Sequence, residues 1–108
     1  MMKKVFVIEG EARNKEEALR ITFQKLYEEG FVKESFYEGC VEREKRFPTG
    51  LDTPIPVAIP HTDSVHVISP AVCVLRPKKP VAFSLMEDDS RQAEAEFVFN
   101  IALKSNDD

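Results

Sequence analysis

Two hydrophobic periods divide the chain. From Lys4 to Glu9, Val, Phe and Ile crowd a six-residue run and predict a short strand. Beyond Asn14, Ala18, Leu19, Thr22, Phe23, Leu26 and Tyr27 recur at helical spacing and predict one amphipathic helix. Asn14 with Glu17 three residues later has the spacing of a capping box, and Gly30 is placed to end the helix in a left-handed cap. Ser35 and Glu38 repeat the capping spacing. They predict a second helix over about Phe36 to Arg46, with Phe36, Cys40 and Phe47 turned inward.

The pattern changes at Pro48. No proline precedes it, and all seven fall between Pro48 and Pro80. Short apolar runs over Val57 to Ile59, Ala71 to Leu75 and Val81 to Leu85 therefore read as strands joined by turns. Met86 to Gln92 is polar and reads as a loop. Phe97 to Leu103 is apolar at every position but Asn100, which predicts a strand buried on both faces. The fold class is α/β, a mixed β-sheet flanked by helices in an α/β/α sandwich. Two helices are few to cover both faces of four or five strands. The expectation is that helices after residue 108, or a partner chain, supply the cover, and an uncovered sheet favours oligomers.

At 108 residues the chain is one domain, 1–108. Fifteen Lys and Arg against nineteen Asp and Glu leave a net charge of −4, which argues against a nucleic-acid partner. No apolar run approaches the roughly 20 residues of a membrane span. Met1 to Lys4 is basic and Val5 to Ile8 apolar, but Glu9 ends that run too soon for a signal peptide, so a cytoplasmic protein is expected. Cys40 and Cys73 form no C-x-x-C pair and read as reduced, buried thiols.

Candidate chemistry gathers between residues 43 and 66. His61 follows Ile59-Pro60 at a strand end. Proline fixes its own φ and pushes the preceding residue into the extended region, which gives an imidazole a stiff lead-in. Ligand groups of α/β sheets often stand at such ends, and a neutral imidazole is a nucleophile near pH 7. The bland alternative is a histidine bonded to a nearby carbonyl. Arg43 suits a phosphoryl group through paired charge-assisted bonds, while Thr49 and Gly50 offer a hydroxyl and close backbone approach. Arg43-Glu44 on a solvated helix face before an ordinary turn is the simpler alternative. The loop lacks the Walker A pattern. His61, Asp63 and His66 invite a metal, but H-x-D-x-x-H matches none of the strong zinc patterns, and no metal or other cofactor is expected. Cys40, mid-helix on the inner face, reads as structural rather than nucleophilic.

Taken in order, Arg43-Glu44, Phe47-Pro48-Thr49-Gly50-Leu51 and Val57-Ala58-Ile59-Pro60-His61 resemble the enzyme IIA domains of the fructose–mannitol type in the bacterial phosphoenolpyruvate-dependent sugar phosphotransferase system. The F-P-T-G loop and His66 are closer to the galactitol-type branch. The resemblance covers essentially the whole chain. It implies that His61 takes a phosphoryl group from phospho-HPr and passes it to a cysteine of enzyme IIB, with the membrane reached only through the transport complex. It implies that Arg43 holds the phosphoryl oxygens, with Thr49 and Gly50 beside it and Glu44 and His66 in support. Relatives continue with further helices, and several, chiefly mannitol-type ones, carry a second active-site histidine near the end of the last strand, a place that here falls at Asp107-Asp108 or beyond the chain. A regulatory phosphorylation module, a metal-dependent hydrolase using His61, Asp63 and His66, and a fragment acting only through an exposed sheet face are the other readings.

Overall fold

A five-stranded mixed sheet carries two helices on one of its faces. The computed structural model describes residues 4–104. Its elements in chain order are β1 (Val5–Gly10), α1 (Lys15–Glu28), α2 (Phe36–Arg46), β2 (Gly50–Leu51), β3 (Val57–Ala58), a 3-10 turn (Ser64–His66), β4 (Ala71–Pro77), β5 (Val81–Ser84), β6 (Gln92–Ala95) and β7 (Phe97–Ala102). Strands lie in the order β1-β4-β7-β3-β2, with β5 and β6 as a separate hairpin. β1 runs parallel to β4, β4 antiparallel to β7, β7 parallel to β3, and β3 antiparallel to β2.

Helix α1 begins and ends as its sequence predicts. The Asn14 side chain accepts the Glu17 N–H at 2.9 Å. The Glu17 carboxylate reaches back to the Arg13 N–H, one residue before the cap. Gly30 has φ +85°. The N–H groups of Gly30 and Phe31 bond to the carbonyls of Tyr27 and Leu26, the paired closure of a Schellman end. Ala18, Leu19, Thr22, Phe23 and Leu26 are buried, and the more exposed Tyr27 stacks on Phe23.

Helix α2 departs from expectation in two ways. Ser35 makes no cap bond, because its backbone is already helical (φ −70°, ψ −9°) rather than extended. Its hydroxyl lies 2.7 Å from His66 Nδ1 instead. Phe47 is not turned inward. It leaves the helical period at φ −135° and is 59% exposed, and the third inner position after Phe36 and Cys40 belongs to Glu44.

Two strands lay outside the sequence expectation. β2 is only two residues long, and β6 alternates polar Gln92 and Glu94 with buried Ala93 and Ala95, a pattern of weak strand formers. The expected strand at the chain's end is present as β7, but it is not buried on both faces. Val98, Asn100 and Ala102 are fully buried toward the helices, whereas Phe97, Phe99 and Ile101 are half-buried on the other side. On that open face Val5 is 56% and Val7 70% exposed. The described residues therefore supply one helical layer of the expected sandwich.

Asn100 joins the covered face. Its amide donates to Thr22 Oγ1 on α1 at 2.9 Å, and its carbonyl oxygen lies 3.7 Å from the Cys40 thiol on α2. Thr22 in turn donates to a carbonyl of its own helix. The polar group at the centre of the sheet is thus satisfied from both helices. Around it Leu19, Phe23, Leu26, Phe36, Cys73 and Ala102 form one apolar cluster. Ala18, Ala58, Leu75, Val81, Phe83 and Val98 form a second, which seats the β5–β6 hairpin.

Asn100→Ala removes this link and leaves a small void, and it should cost about 2 to 3 kcal/mol by urea denaturation, more than the ~1 kcal/mol of Thr22→Val. Burial pushes the Cys40 and Cys73 thiols up to about 12. Neither should react with iodoacetamide at pH 8 in the native protein, and both should react in urea, as counted by intact mass.

Candidate functional site

The site begins with a buried acid. Glu44 is 4% exposed on the inner side of α2, where the sequence permitted a solvated helix face. Its two oxygens accept the Thr49 N–H and the Thr49 hydroxyl, each at 2.8 Å. Burial pushes its carboxyl above the ordinary range, while the bonds from Thr49 and the charges of Lys15 and His61 pull the other way. The Thr49 carbonyl accepts the Ile59 N–H at 3.1 Å, and Gly50 pairs with Ala58. A side chain at Gly50 would place its Cβ 2.6 Å from the Ser84 carbonyl, so only glycine lets β2 pass the hairpin.

β3 then delivers His61. Val57 and Ala58 pair with Phe97 and Val98, and His61 bridges to Ile101 in the same register. The Pro60 carbonyl accepts the Ile101 N–H at 2.9 Å. His61 Nδ1 lies 2.9 Å from the Ile59 carbonyl oxygen. A carbonyl can only accept, so Nδ1 carries the hydrogen, and in the neutral ring Nε2 keeps its lone pair.

Beside this strand end opens a cleft of about 450 Å³ between α2 and the segment after His61. Ser35, Gly39, Arg43, Arg46, Thr62, Asp63 and His66 line it, and His61 stands outside that lining, next to Thr62. The Arg43 guanidinium lies 5.0 Å over the Phe47 ring and 4.0 Å from Asp63. Its Nε is buried and has no hydrogen-bond partner among the described residues. His66 is wedged in the opposite wall, with Nδ1 against Ser35 and its carbonyl accepting the Lys33 N–H.

The structure thus gathers Arg43, Asp63 and His66 on one cleft, while Glu44 and His61 are not among the residues that line it. Thr49 does not offer its donors to an anion. It is 2% exposed, and both its N–H and its hydroxyl are committed to Glu44. Among the described residues no three His, Cys, Asp or Glu side chains gather as metal ligands. Sequence reasoning missed Ser35, Gly39 and Thr62. The available signal was a glycine inside a helix, which marks close approach: a Cβ at Gly39 would lie 2.8 Å from Thr62 Oγ1 and 2.9 Å from His66 Cδ2.

An α/β domain that ends a sheet strand in an imidazole, next to a cleft lined by Arg43 and Arg46 together with Glu38, Glu42 and Asp63, frames a small polar site of mixed charge. The chain matches the family described as phosphoenolpyruvate-dependent sugar phosphotransferase system, EIIA 2, over residues 1–108, and it belongs to that family. It is 37% identical over 99 residues to the mannitol-specific EIICBA component of Pasteurella multocida, covering 89% of this chain and 15% of that protein. It is 31% identical over 78 residues to the galactitol-specific EIIA component of Escherichia coli, covering 71% of this chain and 52% of that one. The chain therefore spans about half the length of the galactitol relative and a small part of the mannitol one. Its fold is similar to enzyme IIA in the Escherichia coli complex of mannitol enzyme IIA with phosphorylated enzyme IIB. There the TM-score is 0.75 at 28% identity, over 94% of this chain and 68% of that one.

Gly39→Ala should push α2 away from Thr62 and His66. The expected cost is about 1 to 3 kcal/mol in thermal or urea unfolding, with displaced His66 ring signals in NMR spectra.

Proposed function

We propose that this domain is a cytoplasmic phosphocarrier of a sugar phosphotransferase system, and that His61 Nε2 is the atom that carries the phosphoryl group. The observation that supports it best is the Nδ1 bond to the Ile59 carbonyl, which leaves Nε2 as the free nucleophile at a strand end. In the first step the Nε2 lone pair forms a bond to phosphorus of phospho-HPr, and the donor nitrogen leaves with the electrons of the broken P–N bond. In the second, an enzyme IIB cysteine thiolate attacks the same phosphorus, and His61 leaves as neutral imidazole. The transition state is loose, so the protein contributes positioning and charge. In this reading Arg43 turns toward the phosphoryl oxygens. Asp63 and the Phe47 ring hold it nearby in the free protein, and its unpaired Nε leaves it a donor to spare. Gly50 and Thr49 shape the approach without touching the anion. Galactitol- or mannitol-type sugar alcohols are the uptake substrates the relatives' names point to.

Phosphohistidine adds about 1.5 to 2 negative charges to a protein whose net charge is already −4, which separates the docking preferences of the two states. Incubation with phosphoenolpyruvate, enzyme I and HPr should add one acid-labile phosphoryl group by intact mass. His61→Ala should abolish the gain, and Arg43→Ala should slow it by about 10² to 10³. Retention of the gain in His61→Ala would overturn the assignment.

A further inference from the structure

Glu44 has no place in the chemistry above, yet it is an acid buried beside it. Its side chain does not serve the apolar core, since burial raises its carboxyl pKa and so works against the charged form. What it does is hold a weak part of the frame. The link from α2 to β3 passes through Pro48, which has no N–H to donate, and β2 and β3 pair over only two residues each. From Gly50 onward the ribbon is held by the Gly50–Leu85 bridge, the Met86 N–H bond to the Gly50 carbonyl and the pairing of β3 with β7, which leaves the Thr49 turn to be fixed from the helix side. The Glu44 carboxylate fastens it at Thr49 by two bonds. From Thr49 the chain of hydrogen bonds continues without a gap: Ile59 N–H to the Thr49 carbonyl, then His61 Nδ1–H to the Ile59 carbonyl. Pro60 stiffens the last link.

We propose that Glu44 is a positioning residue for His61, acting through Thr49 and Ile59 to select the Nδ1–H tautomer and to aim Nε2 at the phosphoryl donor. The rate part of this inference rests on the phosphocarrier reading. The tautomer part does not.

The test uses protein labelled with ¹⁵N at histidine, in the wild type and in Glu44→Ala, Glu44→Gln and Thr49→Val. In the wild type the ring ¹⁵N signals of His61 report the Nδ1–H form. In Glu44→Ala both tautomers appear, and the phosphoryl uptake rate at saturating phospho-HPr falls at least about tenfold per folded molecule, with KM little changed. Glu44→Gln restores both readouts, because its amide oxygen accepts the Thr49 N–H and its NH₂ donates to the Thr49 hydroxyl. Should Glu44→Ala fail to fold, Thr49→Val cuts one of the two bonds and should show the same changes in smaller measure. A folded Glu44→Ala, or Thr49→Val in its place, with wild-type tautomer signals and saturated rate would overturn the inference. A tautomer shift in Glu44→Ala alongside a wild type that takes no phosphoryl group would support the positioning role and overturn the carrier reading.

Discussion

The register of residues 57–61 along β7 is the constraint on which the rest of the site depends. Phe97, Val98 and Ile101 face Val57, Ala58 and His61 at a constant offset, so the imidazole is placed by the backbone of the central strand. The same strand holds both helices, because Asn100, beside Ile101, bonds α1 and approaches the Cys40 thiol of α2. A slip of one residue would move Asn100 to the open face and His61 off its bridge together. Helix placement and histidine placement are therefore one structural decision. The Arg43 cleft inherits it, since α2 carries Arg43 and leans on Asn100 through Cys40.

The sheet is unequal on its two sides. Toward the helices Ala71, Cys73, Leu75, Val98 and Ala102 are fully buried. On the other side Val5 and Val7 are exposed, and Phe97, Phe99 and Ile101 are half-covered. A contiguous apolar face of this kind is costly in water. Everything that places His61 lies on the strong side or in the sheet itself: the Asn100 contacts, the Glu44–Thr49 bonds and the Ile101–Pro60 pair. The geometry of the site thus draws little from whatever covers the weak side. The solved mannitol enzyme IIA, of which this chain covers 68%, shares the fold over nearly all of the present chain.

Much of this was legible beforehand. Helix α1 could be read because its signals are local: an Asn14 cap, a clean apolar stripe and Gly30 at positive φ. β4, β5 and β7 could be read from apolar runs set between prolines and polar loops. β6 could not, because Ala and Glu are poor strand formers and its alternation is only four residues long. The α2 cap misled because Ser35 bonds a histidine thirty-one residues away, which no local spacing reports. Phe47 misled because a helix period was extended one residue past the helix end. In the site, Arg43, Glu44, Thr49 and His61 were all named, but the partner of Thr49 was not. A threonine before a glycine looks like a donor for a bound phosphoryl group, and only the tertiary fold reveals that Glu44 already takes both of its donors.

That buried glutamate adds a tie from α2 to a short strand pair that β7 holds from the other side. Because the folded-state pKa of Glu44 is raised, its contribution to stability is fully present below the unfolded glutamate value and is lost as pH rises through the folded one. Above that folded value the ionised carboxylate draws on stability, and the Thr49 bonds offset part of that draw. A fold selected for stability alone would do as well with an uncharged partner for Thr49. The other ties to this segment begin at Gly50, with its bridge to Leu85 and the β3–β7 pairing, and Pro48 cannot donate to a neighbour. The acid is tolerated because it supplies two acceptors at Thr49, whose carbonyl holds Ile59 and so adds to the β7 register in placing His61. Stability is spent where the aim of one imidazole is decided.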